Sequence, residues 1–175
     1  MGETRNMSLK NQIETERLKL RFLDDSDLND VYHQFSDPEM CQYFSEPPCD
    51  MAEAKEIIDH YKNPEGKGYL RYGLFDKQTD AFIGTCGYHY LDRDKNQVEI
   101  GYDIWKDYWR QGYASEALPI LLQVCFDELE VDCIYVLVDP QNEASIATVR
   151  KFGFKDCDFC RKPDTEQTIC MKLIK

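Results

Sequence analysis

Residues 97–123, QVEIGYDIWKDYWRQGYASEALPILLQ, hold the clearest chemical signal in the chain. A β-patterned segment enters a turn carrying Arg110, Gln111 and Gly112, and an apolar-periodic helix begins near Tyr113. A glycine at a strand-to-helix junction lets the backbone approach a ligand closely, and the first amides of a helix have no intrahelical acceptor. With the helix dipole behind them and Arg110 beside them, those amides suit a phosphate or pyrophosphate. The other phosphate motifs are missing: there is no GxxxxGK[ST], and no GxGxxG follows an early strand.

The other reactive side chains are less pointed. Cys157 and Cys160 form a lone CxxC, and zinc would need two further ligands, whereas His33, His60 and His89 lie far off without metal spacing. No metal is expected. Among the eight cysteines several sit in apolar strand or helix patterns, where the thiol behaves as a small hydrophobe, so a disulfide framework is not expected. Lys and Arg number 21 against 33 Asp and Glu, a net charge of −12, which disfavours nucleic acid and anionic membranes because phosphate binding needs clustered cations. A cationic ligand would be steered favourably, although acidity also serves solubility.

A length of 175 residues fits one domain, read as residues 13–175 after a flexible N-terminus, residues 1–12. Hydrophobic residues at 42% and aromatics at 13% argue for a packed core. No apolar run is long enough to span a bilayer and the N-terminus lacks the apolar middle of a signal peptide, so the expected location is the cytoplasm.

The elements follow from periodicity. RLKLRFL alternates as a half-buried strand; Asp24, Asp25 and Asp27 then suit the start of a helix carrying Leu28, Val31, Tyr32 and Phe35. Residues 50–61 form a second helix, and residues 40–44 between the two either line a groove or pack. Strands are expected over 69–75 and 81–91, with Gly84 and Gly87 as sites of bulges or close backbone approach. The helix after Gly112 presents Ala117, Leu118, Leu121 and Leu122 on one face, with Pro119 an awkward fit inside it. CIYVLVD, residues 133–139, is a central strand; Asn142 caps a last helix ended by Gly153, and residues 154–159 and 168–174 close as a hairpin. The order β, α, α, β, β, β, α, β, α, β, β describes a mixed α+β layer structure.

TERLKLR, EIGYDI followed by WRQGYASEA, and VDPQNEASIATVRKFGF stand in the order and spacing of the GNAT superfamily of acyl-CoA-dependent N-acyltransferases. The chain resembles this family from about residue 15 to 172, and within it the branch of ribosomal-protein N-terminal acetyltransferases. The resemblance implies a mostly antiparallel mixed sheet whose central parallel strands splay apart, with helices on both faces and acetyl-CoA as co-substrate. The family's phosphate loop matches at Gly112 and Ala114, while its first fixed position falls on Trp109, so backbone amides from Gln111 to Ser115 would carry the binding.

Further implications of the resemblance concern the chemistry. Asp103, Ile104 and Trp105 would lie along pantetheine, Asn142 would reach it from the last helix, and a main-chain N–H near 100–102 would polarise the acyl carbonyl. Glu99, on the strand face opposite Val98 and Ile100, would be the base acting through water, and Ser145 of the N-x-x-S element would protonate the leaving thiolate. The acceptor is an amine: a protein N-terminus or, as the alternative, a small amine such as a polyamine, aminoglycoside or metabolite. A non-catalytic acyl-CoA-binding module is the rival of another class. A homodimer is left open.

Overall fold

The structure is a computed structural model and describes residues 10–158 and 168–175. Eight strands form one sheet in the order β1-β2-β3-β4-β5-β6-β8-β7. They are β1 (Gln12–Glu14), β2 (Leu18–Phe22), β3 (Leu70–Asp76), β4 (Phe82–Asp92), β5 (Gln97–Ile104), β6 (Cys133–Val138), β7 (Lys155–Cys157) and β8 (Ile169–Ile174). The helices are α1 (Leu28–Ser36), α2 (Met51–Tyr61), α3 (Tyr113–Gln123) and α4 (Glu143–Lys151). All strand pairs are antiparallel except β5 with β6.

Alternation along the strands sorts the two faces. Leu70, Tyr72 and Leu74 of β3 and Val98 and Ile100 of β5 pack with Leu118 and Leu121 of α3 in the larger core cluster. Each fully buried leucine of this kind contributes about 1.5–3 kcal/mol. On the opposite face Arg71 lies beneath Phe35 of α1 and Tyr61 of α2. These two helices close a smaller core of Leu23, Val31, Ala54 and Ile58.

The caps are those the residue types favour. Asp24 and Asp27 form a reciprocal capping box ahead of α1, Asp50 and Glu53 form another at α2, and Gly153 leaves α4 with φ +90°. Close approach accounts for the strand glycines: a Cβ on Gly87 would stand 1.9 Å from the Leu70 carbonyl oxygen, and one on Gly84 2.0 Å from that of Asp103. Helix α3 runs through Pro119, whose ring is exposed and needs no room in the core, and passes into a π-helical turn over Val124–Glu128. Strand β1 starts at Gln12, the last residue of the segment read as flexible. Phe159 and Cys160 of the expected hairpin and CxxC lie outside the described residues.

The parallel pair is where the sheet departs from continuous pairing. Registers run Gln97↔Cys133, Val98↔Ile134 and Glu99↔Tyr135 and then stop. Beyond that point β5 continues to Ile104 paired with β4, and β6 continues to Val138 paired with β8. The sheet therefore opens into a V whose apex is at Glu99.

Candidate active site

One wall of the site is the turn between β5 and α3. Arg110 has φ +61° and Gly112 φ +83°, so the chain twists through two left-handed residues just before α3. The first helical bond runs from the Glu116 amide to the Gly112 carbonyl, 3.0 Å, leaving the amides of Tyr113, Ala114 and Ser115 ahead of it. Arg110, Gln111 and Gly112 are exposed, whereas the Tyr113 ring is buried against Tyr108, so Tyr113 offers its backbone alone. Trp109, at the loop's unmatched motif position, donates its indole N–H to the Ile104 carbonyl at 2.7 Å and braces the loop on the end of β5.

The open edge of β5 is the second wall. The Trp105 amide donates to the Ile83 carbonyl at 2.8 Å, so residue 105 faces β4. Alternation turns the main chains of Gly101 and Asp103 the same way, and those of Tyr102 and Ile104 toward the gap that β6 has left. Tyr102 N–H is thus a donor presented to the V. Asp103 is a different case. Its main chain faces β4, and its carboxylate accepts from Arg71 Nη1 at 2.9 Å on the α1/α2 side.

That side holds a cavity of about 380 Å³, lined by Phe35, Tyr43 and Phe44 from α1 and the segment after it, by Arg71, Glu99 and Asp103 from the sheet, and by Asp139 just past the end of β6. The segment 40–44 does line a groove. Glu99 is half-buried, stands at the apex of the V and enters this cavity. Its register partner on β4 is His89, which lies within 3.2 Å of the Tyr61 hydroxyl.

Across the V, Asn142 caps α4 by accepting from the Ser145 amide at 3.1 Å. The Ser145 hydroxyl lies 3.1 Å from that of Tyr102, which also donates to the Ser145 carbonyl at 3.3 Å. Burial pushes the Tyr102 phenol up, with hydrogen bonds from Ser145 and Thr148 opposing. The tyrosine side chain is the site residue that sequence reasoning missed. Its signal was strand alternation, which puts Tyr102 on the same face as Val98 and Ile100, toward α3 and α4.

Residues 17–155 match the family model described as an acetyltransferase (GNAT) domain. The chain belongs to the GNAT acetyltransferases. It is 34% identical over 143 residues to the uncharacterised N-acetyltransferase p20 of Bacillus licheniformis, covering 81% of this chain and 80% of p20. A provisionally named ribosomal-protein-serine acetyltransferase from Vibrio cholerae superposes with a TM-score of 0.77 at 26% identity, over 94% of this chain and 97% of that one. Spermidine N-acetyltransferase from Vibrio cholerae, in complex with CoA and spermine, shares the fold at a TM-score of 0.78 and 19% identity, over 91% and 96%.

The GNAT family's acetyl-CoA fits the donors of this acetyltransferase. Consecutive amides at the α3 N-terminus suit a pyrophosphate, and the open main chain of Tyr102 suits an amide group of pantetheine, while the Ile104 carbonyl beside it is already taken by the Trp109 indole. Burial holds the Cys86 thiol up at about 12, which disfavours it as a thiolate nucleophile. Among the described residues no group of three or more His, Cys, Asp or Glu is placed to hold a metal ion, and no helix is long and apolar enough to cross a membrane.

Proposed function

We propose that this acetyltransferase moves an acetyl group from acetyl-CoA to a primary amine by direct attack, with a protein N-terminal α-amine as the first-choice acceptor, and that residues 13–175 act as one catalytic domain. The observation that carries the reading is the parting of β5 and β6 at Glu99, which gathers an open main-chain edge, a carboxylate and the Ser145–Tyr102 hydroxyls around one gap. Bound acetyl-CoA supplies an acyl group activated as a thioester. Arg110 and the amides from Gln111 to Ser115 hold its pyrophosphate, and Ile104, Trp105 and Asn142 flank pantetheine. Glu99 takes the amine's proton through a water, the Tyr102 N–H polarises the acyl oxygen, and the Ser145 hydroxyl gives a proton to the departing sulfur.

The pKa of an α-amine explains why a single carboxylate suffices. At about 8 it leaves roughly one-tenth of the amine neutral at pH 7, against roughly one in 2,500 for a lysine at about 10.4. A second reading has its own support. Among the described residues Glu46, Glu99, Asp103 and Asp139 line the cavity together with the guanidinium of Arg71, a surplus of negative charge that favours a small acceptor carrying extra positive charge. Thiol release measured against a panel of N-terminal peptides and a panel of small amines separates the two. CoA binding without amine-dependent thiol release from any acceptor, unchanged in Glu99→Gln and Ser145→Ala, would instead identify a binding module and defeat both.

A further inference from the structure

The TERLKLR stretch that helped to reveal the family has no part in the chemistry above, yet two of its side chains reach the first turn of α3 and one of them the phosphate loop as well. Glu116, in the first turn of α3, accepts through Oε1 from the Thr15 hydroxyl at 2.5 Å and from the Arg17 amide at 2.7 Å. Through Oε2 it accepts from Arg17 Nε, also at 2.7 Å. Arg17 then donates from Nη1 to the Gln111 carbonyl at 3.0 Å, with its guanidinium 4.2 Å over the Tyr113 ring. A helix residue thus grips an arginine from the far end of the chain, and the arginine grips the loop that leads into the same helix.

The Gln111 carbonyl matters because of the peptide it belongs to. In a trans peptide the C=O and the following N–H point in opposite directions, and no peptide bond among the described residues is cis. Fixing the Gln111 oxygen on Arg17 turns the Gly112 N–H away from Arg17, toward the open side of the loop. Glycine adopts either sign of φ at little cost, so the Gln111–Gly112 peptide is the one most easily flipped. A flip would aim a carbonyl oxygen at a bound anion in place of an N–H. Arg17 also neutralises Glu116, whose charge favours the helix dipole but would repel an anion seated one turn away.

We propose that Arg17 is a positioning residue for the cofactor's pyrophosphate: held by Glu116, it locks the Gln111–Gly112 peptide so that the Gly112 N–H faces the anion. The inference rests on the reading that this loop receives the pyrophosphate of acetyl-CoA. It predicts a penalty specific to donors that carry that group.

The test compares acetyl-CoA with S-acetylpantetheine, which has the same thioester and no pyrophosphate. Arg17→Ala should raise KM for acetyl-CoA by about tenfold, the effect of one hydrogen bond to a charged group, with kcat within about twofold. Its kcat/KM for S-acetylpantetheine should match wild type, and Arg17→Lys, able to reach the Gln111 carbonyl or Glu116 but not both, should fall in between. An equal loss with both donors, or an unchanged KM for acetyl-CoA, overturns the lock. Should Arg17→Ala fail to fold, Glu116→Gln, which weakens the grip on Arg17 without emptying the site, must show the same donor-specific rise. If the wild-type protein uses acetyl-CoA no better than S-acetylpantetheine, the pyrophosphate reading itself falls, and the lock with it.

Discussion

Replacing Arg71 by Met should be among the most destabilising single changes on the acceptor side of the sheet. Arg71 and Asp103 expose 13% and 16% of their side chains, so water does little to screen either charge. Arg71 Nη1 donates to the Asp103 carboxylate at 2.9 Å and to the Thr85 hydroxyl at 2.7 Å, and the guanidinium lies 5.1 Å and 5.5 Å over the rings of Tyr61 and Phe35. Methionine removes all of these and leaves Asp103 with the Thr85 hydroxyl at 3.3 Å. Breaking a shielded pair from one side costs about 3–5 kcal/mol, because the surviving charge stays buried. For a chain of this length that lowers Tm by about 6–20 °C. Removing both charges, in Arg71→Met with Asp103→Leu, should recover most of the loss. Urea denaturation followed by far-ultraviolet circular dichroism reads the difference. A loss under about 1 kcal/mol, the scale of an exposed pair such as Lys55 with Asp59, or a double variant as unstable as the single one, would refute the reasoning.

Other consequences are equally measurable. Ser145→Ala should lower kcat with acetyl-CoA by about a hundredfold, and an aryl thioester, whose leaving thiolate needs no proton, should restore it; equal loss with both donors would remove Ser145 from that role. A Cβ on Gly101 would meet nothing within 4 Å, whereas one on Gly87 would strike the Leu70 carbonyl. Gly101→Ala should therefore keep the wild-type Tm while raising KM for the amine, and Gly87→Ala should lower Tm sharply. Burial pushes the Glu116 carboxyl up, but hydrogen bonds from Thr15 and Arg17 outweigh it and hold its pKa below the ordinary value. A depressed folded-state pKa contributes stability that is present above the unfolded value of about 4.3 and lost as pH falls through the folded one. Tm should thus drop below about pH 4.3, and Glu116→Gln should flatten that drop. Cys157 and Cys170 face one another across β7 and β8 with sulfurs 3.3 Å apart, so mild oxidation by diamide should join these two, seen as a linked peptide pair by mass spectrometry; a Cys157–Cys160 link would contradict it.

Local patterns made the elements legible and distance along the chain hid the contacts between them. The capping aspartates, the strand alternation of RLKLRFL and the glycine before α3 each act within a few residues, and each appears where its chemistry requires. Strand β1 escaped because three residues of exposed, half-buried, exposed pattern carry no readable period. Arg71 with Asp103 and Tyr102 with Ser145 pair across 32 and 43 residues, and the Arg17 side chain meets Glu116 across 99. Such pairs depend on sheet order, which no spacing rule supplies. Asp103 shows the same limit from within one strand: alternation gives the face its carboxylate takes, while the partner that meets it there, Arg71, comes from β3 and sheet order alone.

The apex at Glu99 also shows why these features occur together. A parallel sheet gains a ladder of hydrogen bonds for every residue pair it keeps, so abandoning the β5–β6 ladder after one short register leaves main-chain groups that cost about 1–3 kcal/mol each wherever they are shielded from water. The fold tolerates this because each strand keeps its outer partner, β4 for β5 and β8 for β6, and because α3 and α4 hold the two arms from one face. The open edge at Tyr102 is consequently held from its outer side by the β4 ladder. In the proposed reaction an amide held in this way, such as that of Tyr102, would meet an acyl oxygen without first having to reorient, and such preorganisation is the main source of electrostatic catalysis. Closing the V would stabilise the sheet and remove the site, so substitutions that strengthen β5–β6 pairing should raise Tm and lower turnover together.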